Sequence, residues 1–189
     1  IDSYSSYTYF DAPYSLKPMF AAGGIPGLEL ESNDTSANAD VLPSDVPIKG
    51  QISRGSDVDL FKVTAAGPGL LTVNFDSPLS NTTRDAFELV VLDGAGKKLF
   101  GQFTGGDLTY EVGLPASGSY FVGVQAGDWY YTTQTYSIKG ALLASTDQRF
   151  ETEPNDKSPN VLLTGTKMTG QVASALDVDL YQFSLAGPS

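Results

Sequence analysis

Apolar and polar residues alternate in short runs along this chain, with the two-residue period of an extended strand. Leu71, Val73 and Phe75 fall on one face of such a run and Thr72 and Asn74 on the other; Tyr120, Val122 and Val124 repeat the pattern. The pattern predicts eight strands, over residues 47–53, 57–65, 69–76, 86–93, 97–103, 107–114, 118–126 and 133–143. Turn-forming groups separate them: Arg54-Gly55, Ala66-Gly67-Pro68, Asp93-Gly94-Ala95-Gly96, Gly105-Gly106 and Pro115-Ala116-Ser117-Gly118. Helical periodicity is absent over any useful length. Eight short strands at this spacing predict an all-β fold, an antiparallel β-sandwich of jelly-roll type.

The chain also matches itself. A shift of 122 residues places Glu29, Glu31, Asn33 and Asp34 on Glu151, Glu153, Asn155 and Asp156, and Tyr14-Ser15-Leu16-Lys17 on Tyr136-Ser137-Ile138-Lys139. A shift of 120 places Gly50-Gln51 on Gly170-Gln171, Asp57 on Asp177, and Ala66-Gly67-Pro68 on Ala186-Gly187-Pro188. The two-residue difference falls between Asp34 and Gly50, where a longer loop costs little. The reading is a tandem repeat in three pieces. Residues 1–27 are expected to be the closing strand of a preceding repeat, 28–149 a complete sandwich, and 150–189 the opening third of the next. Missing parts would come from adjacent repeats of the same polypeptide or from further copies of it.

Composition narrows the function. The 189 residues include no cysteine and no histidine, which removes disulfides, thiolate chemistry and the usual general base from this segment. The formal net charge of −11 disfavours nucleic acid and anionic lipid as partners. No apolar run approaches the roughly 20 residues of a membrane-spanning helix. The chain opens at Ile1 without a basic-then-apolar leader and reads as a processed or excised piece. An acidic, cysteine-free β-protein of this kind fits a bacterial secreted, extracellular or cell-surface product.

The acids themselves form a pattern. Glu29 and Glu31 point the same way along an extended segment, roughly 6.5–7 Å apart, and Asn33-Asp34 adds oxygen donors directly after them. Asp57 and Asp59 share a face with Phe61 and Val63, which places them at the rim of a core. Carboxylates gathered at a rim repel unless a cation lies between them. Ca²⁺ takes six to eight oxygens at about 2.3–2.6 Å, and Glu29, Glu31, Asn33, Asp34, Asp57 and Asp59 supply most of such a shell. Two readings compete with this one. The acids are a solvated linker and a strand end, or they are a catalytic carboxylate pair of glycosidase type.

Taken together, Glu151–Asp156, the Gly50-Gln51-Ile52 strand, Asp57–Phe61 and the closing Gly118-Ser119-Tyr120-Phe121-Val122 strand resemble the bacterial pre-peptidase C-terminal (PPC) domain family. The resemblance runs over residues 28–189. It implies a β-sandwich appended to an exported protein and generally not catalytic. The similar collagen-binding modules of bacterial collagenases imply calcium ligation by Glu29, Glu31, Asn33, Asp34, Asp57 and Asp59, and again by Glu151, Glu153, Asn155, Asp156, Asp177 and Asp179. The first copy departs from the motif, with Ser32 where the second has Pro154.

Trp129, Tyr130 and Tyr131 form an aromatic group suited to a sugar ring or a fibrous protein, or to packing within a hairpin. Two functions follow as expectations. One is a non-catalytic, calcium-stabilised repeat acting as spacer, adhesin or filament segment. The other is a module of an exported hydrolase that targets collagen-like protein or polysaccharide through those aromatics.

Overall fold

The computed structural model describes residues 13, 15–18, 24–79, 85–127, 132, 134–144, 150–172 and 177–185. Among the described residues, nine strands build the main body: β1 (Asp40–Val41), β2 (Ile48–Gly50), β3 (Val58–Ala65), β4 (Gly69–Asp76), β5 (Phe87–Leu92), β6 (Lys98–Thr104), β7 (Leu108–Leu114), β8 (Gly118–Ala126) and β9 (Tyr136–Ala144). Eight of these are the strands that the alternation predicts, displaced by three residues or fewer at every boundary. The end of β2 is one of the two largest shifts: it keeps its ladder only to Gly50, because the Gln51 amide turns away to bond a side chain.

The strands form two sheets, one in the order β1-β3-β8-β5-β6 and the other β2-β9-β4-β7. Their inner faces share one core. Phe61, Val63, Leu89, Val91, Val122 and Val124 come from the first sheet, and Leu71, Val73, Phe75, Val112, Tyr136 and Ile138 from the second. Aromatic contacts cross between them: Phe75 meets Phe87 edge-on at 5.1 Å and Phe100 stacks on Tyr110 at 4.2 Å.

The strand β8 is buried on both faces. A Cβ on Gly123 would lie 2.6 Å from Val90 Cγ2 and 3.1 Å from Leu60 Cδ2, so these side chains close over the glycine on the outer face.

Among the described residues, every pairing between named strands of the sandwich is antiparallel except one. The short β1 runs parallel to β3, with Asp40 opposite Phe61 and Val41 opposite Lys62. The first sheet is thus mixed and the second antiparallel, where alternation alone predicted purely antiparallel sheets. A parallel partner is invisible to alternation, which reports faces and not directions.

Residues 150–185 carry two further strands, β10 (Asn160–Val161) and β11 (Tyr181–Gln182), also parallel, with Asn160 opposite Tyr181. Asp40 and Asn160, like Phe61 and Tyr181, differ by 120 positions, so the shift has already changed from 122 by Asp40. The extra two residues therefore lie between Asp34 and Asp40. Apolar residues that are buried in the sandwich have exposed counterparts here: Ile52 is fully buried and Val172 is 71% exposed, Val63 is 6% and Phe183 60%. Among the described residues no helix is long and apolar enough to cross a membrane.

Candidate metal centres

Each acidic segment is held by backbone pairing before its side chains meet. Leu28 bridges Lys49 in parallel, the Glu29 amide donates to the Lys49 carbonyl at 2.9 Å, and the Gln51 amide donates to Glu29 Oε1 at 2.6 Å. The second segment repeats this. Phe150 bridges Thr169, the Glu151 amide donates to the Thr169 carbonyl at 3.0 Å, and the Gln171 amide donates to Glu151 Oε1. The turn that follows is fastened in both copies by one side chain from the parallel strand. Asp40 Oδ2 accepts from the Leu30 amide at 2.7 Å, and Asn160 Oδ1 accepts from the Thr152 amide at 3.1 Å. The peptides after Glu31 and Glu153 are both cis.

Two groups of three carboxylates result: Glu29, Glu31 and Asp59, and Glu151, Glu153 and Asp179. Within each, one oxygen per residue lies within 4.8 Å of the others. Oxygens that share one Ca²⁺ at about 2.3–2.6 Å lie within about 5 Å of each other, so this spacing fits a single ion. The donors are all oxygen, the chemistry of a hard cation and not of zinc or copper.

A second observation points the same way. Asn33 Oδ1 and Asp59 Oδ1 are buried without a hydrogen-bond partner, and so are Asn155 Oδ1, Asp179 Oδ1 and Glu153 Oε1. Asn33, Asp59 and Asn155 are 0% exposed. Buried oxygens left unmatched cost about 1–3 kcal/mol each, and here the same Asn and Asp atoms are unmatched in both copies. A cation would satisfy them.

The remaining expected ligands are placed differently. Asp34 Oδ1 accepts from the Val58 amide at 3.3 Å and its Oδ2 faces Arg54 at 3.6 Å. Asp57, 2% exposed, accepts from the Ser53 amide and hydroxyl at 2.6 and 2.7 Å, which closes the turn between β2 and β3. Asp156 pairs with Lys97 at 3.5 Å. Asp34 and Asp57 are thus outside the first triad and Asp156 and Asp177 outside the second. Trp129, Tyr130 and Tyr131 lie outside the described residues.

Two tyrosines belong to the centres without having been singled out as site residues. Tyr136, at the start of β9, donates its hydroxyl to Asp59 Oδ2, with Glu29 Oε2 at 3.3 Å. Tyr181 donates to Glu151 Oε2 at 2.7 Å. The recurrence of Tyr-Ser-(Leu/Ile)-Lys at Tyr14 and Tyr136 was the sequence signal for the first of these. Gly50 and Gly170 make room for the hydroxyls: an added Cβ would meet Tyr136 Oη at 2.2 Å or Tyr181 Oη at 2.3 Å.

Crowding shifts the titrations. Burial raises Glu153 to about 7, with repulsion from Asp177, Glu151 and Asp179 adding to it. Burial likewise raises Glu29 and Asp59, which repel each other and share protons well above the usual carboxylate range. Burial and the facing Asp57 and Asp34 charges raise Glu31. Burial, with the charge of Glu151 next, raises Asp179.

No family model and no curated protein matches the chain. Its fold is similar to the pre-peptidase C-terminal domain of collagenase from Bacillus anthracis, at 15% identity and TM-score 0.44 over 54% of this chain and 93% of that one. It is also similar to PliG, a periplasmic inhibitor of g-type lysozyme. For PliG from Aeromonas hydrophila the figures are 15% identity, TM-score 0.42, and 56% and 97% of the two chains. For PliG from Salmonella Typhimurium they are 17%, 0.36, and 56% and 98%.

Proposed function

We propose that this chain is a non-catalytic, calcium-stabilised part of a larger secreted or surface protein built from tandem sandwiches, in which it serves as a spacer or adhesive segment. One observation carries the reading: two oxygen-only centres, about 120 residues apart, are built from the same residue types on the same backbone register. Each leaves an Asn and an Asp oxygen buried and unmatched. Glu29, Glu31 and Asp59, with Asn33 Oδ1, would hold one ion; Glu151, Glu153 and Asp179, with Asn155 Oδ1, would hold another.

The repeated ladder registers and the exposed counterparts of core residues in 150–185 support the tandem arrangement. Calcium is favoured over Mg²⁺ because Mg²⁺ keeps several waters and takes few protein ligands, whereas these centres present many. The raised carboxyl titrations do not indicate an acid catalyst. Asp59 is 0% exposed and lies under Tyr136, where no glycosidic oxygen can reach it.

Calorimetry in EDTA and in millimolar Ca²⁺ tests the reading. An ion at 100 times its dissociation constant adds about 2.7 kcal/mol, which raises the melting temperature by roughly 10 °C for a domain of this size. Mg²⁺ at the same concentration is expected to add less. Identical melts in EDTA and Ca²⁺ would exclude the function.

A further inference from the structure

The two glutamates of the second centre are more deeply covered than those of the first, although the segment bearing them has only the two-residue strands β10 and β11 of its own and Asp179 is less buried than Asp59. Glu151 and Glu153 are 5% and 6% exposed, whereas Glu29 is half-buried and Glu31 exposed. The cover comes from the edge of the preceding sandwich. The Glu153 amide donates to the Gly113 carbonyl on β7 at 3.3 Å, and Lys97, beside β6, reaches Asp156 at 3.5 Å. The Glu151 carbonyl lies so close over Gly113 that an added Cβ would be 1.8 Å from it. Leu70 and Leu99 line the same cavity as Phe150, Glu151 and Glu153.

At the first centre the corresponding face, made by Leu28, Glu29, Glu31 and Gly50, borders an open cavity. None of that lining comes from β6 or β7. The two centres thus share their carboxylate and asparagine types and differ in the tyrosine that joins them and in one wall.

We propose that the β6–β7 edge is a docking surface for the acidic segment of the unit that follows it, and that cation binding at the second centre is coupled to this docking. The proposal rests on the cation-binding reading above. It has the support of Glu153 Oε1 and Asn155 Oδ1, which are buried, unmatched and held at the docked face. Without a cation, the carboxylates of Glu151, Glu153 and Asp179 repel one another, and separating them pulls Glu151 and Glu153 off Gly113. With a cation they converge and the backbone contacts close. Coupling of this kind is reciprocal, so the edge must strengthen the ion as the ion strengthens the edge. A glycine inside an edge strand is otherwise a weak choice, and its place here is the close approach of a second backbone. The cation then sets the angle between consecutive units.

The chain lacks cysteine, so spin labels can be placed singly, at Ala95→Cys in the β5–β6 turn and Leu163→Cys after β10, both exposed. In the full chain, calorimetric titration with Ca²⁺ is expected to resolve two sites, and the label distance to be narrowly distributed with Ca²⁺ and broad in EDTA. Gly113→Val is expected to leave the first site unchanged, to weaken the second about tenfold or more, equivalent to about 1.4 kcal/mol, and to keep the distribution broad in Ca²⁺. Both sites at wild-type affinity with a narrow distribution in Gly113→Val would overturn the coupling and leave the cation reading standing. Absence of Ca²⁺ binding by the unsubstituted chain would overturn both. Lys97→Glu, a change at a half-exposed side chain that does not threaten folding, provides a second measure. It is expected to weaken only the second site, several-fold at low salt and less at high salt; unchanged second-site affinity at low salt would overturn the coupling.

Discussion

The hydroxyl of Tyr136 reaches Asp59 Oδ2 at 2.5 Å across the sandwich, from β9 of one sheet to β3 of the other. Its ring packs at 5.5 Å from Phe75 and 6.4 Å from Phe87, so one side chain joins the core to the first carboxylate centre. Tyr136→Phe keeps the ring and removes the proton donor. The variant is expected to lose about 1–3 kcal/mol in EDTA, the cost of a buried acceptor left unmatched. Urea denaturation measures this, with an unchanged denaturant slope. Ca²⁺ affinity should fall at the first centre and not at the second, whose hydroxyl comes from Tyr181.

Stability without metal is expected to fall as pH rises. Glu153 holds its proton to about 7 in the fold and releases it near the ordinary value of 4.5 when unfolded; Glu29 and Asp59 are shifted in the same direction. The folded state therefore binds more protons than the unfolded one, and the advantage is full below about pH 4 and lost through pH 7 and above. Calcium reverses the slope, since it takes the carboxylates in ionised form. Melting temperatures in EDTA should decline from pH 4.5 to 8.5, and those in Ca²⁺ should hold or rise. A rising curve in EDTA would contradict the crowded, protonated arrangement.

Asp57 and Glu31 are expected to part company on substitution. Asp57→Ala leaves the Ser53 amide and hydroxyl without their acceptor and opens the β2–β3 turn. It should cost about 1–3 kcal/mol in EDTA as well as in Ca²⁺. Glu31→Gln changes an exposed side chain and should leave EDTA stability within about 0.5 kcal/mol while weakening the first centre. Isothermal titration and chemical denaturation of the two variants make the comparison.

Gly50→Ala should disable the first centre from the backbone side. The new methyl group would meet Tyr136 Oη at 2.2 Å and Glu29 Oε2 at 2.3 Å, displacing a donor and a ligand together. Loss of one of two Ca²⁺ in the titration, with the second retained, is the expected result. Gly170→Ala should produce the opposite pattern.

The eight predicted strands were legible because most of them bury one face, and burial of one face writes itself into the chain as alternation. Turn glycines and prolines marked their ends. The acidic centres were legible for a different reason: the same residues recur at nearly the same spacing, which local composition alone does not produce. Glu29, Glu31 and Asp59, and their second-copy counterparts, were among the expected ligands and stand together. Asp34 and Asp57 were expected beside them, and they also cap backbone amides and face Arg54. Nothing in the spacing distinguishes a carboxylate that meets a cation from one that fastens a turn. Both need an acid next to a strand.

By itself, then, the sequence determined the all-β class, the strand positions, the recurrence of the acidic motif and the oxygen-only character of the centres, because these depend on period, residue type and spacing. Tertiary structure decided which oxygens converge, that Tyr136 joins Glu29 from 107 positions away, that β1 pairs in parallel, and that the second acidic segment lies on Gly113. Those relations depend on which elements meet across the sandwich. Residues distant along the chain share a site only after the sheets have packed.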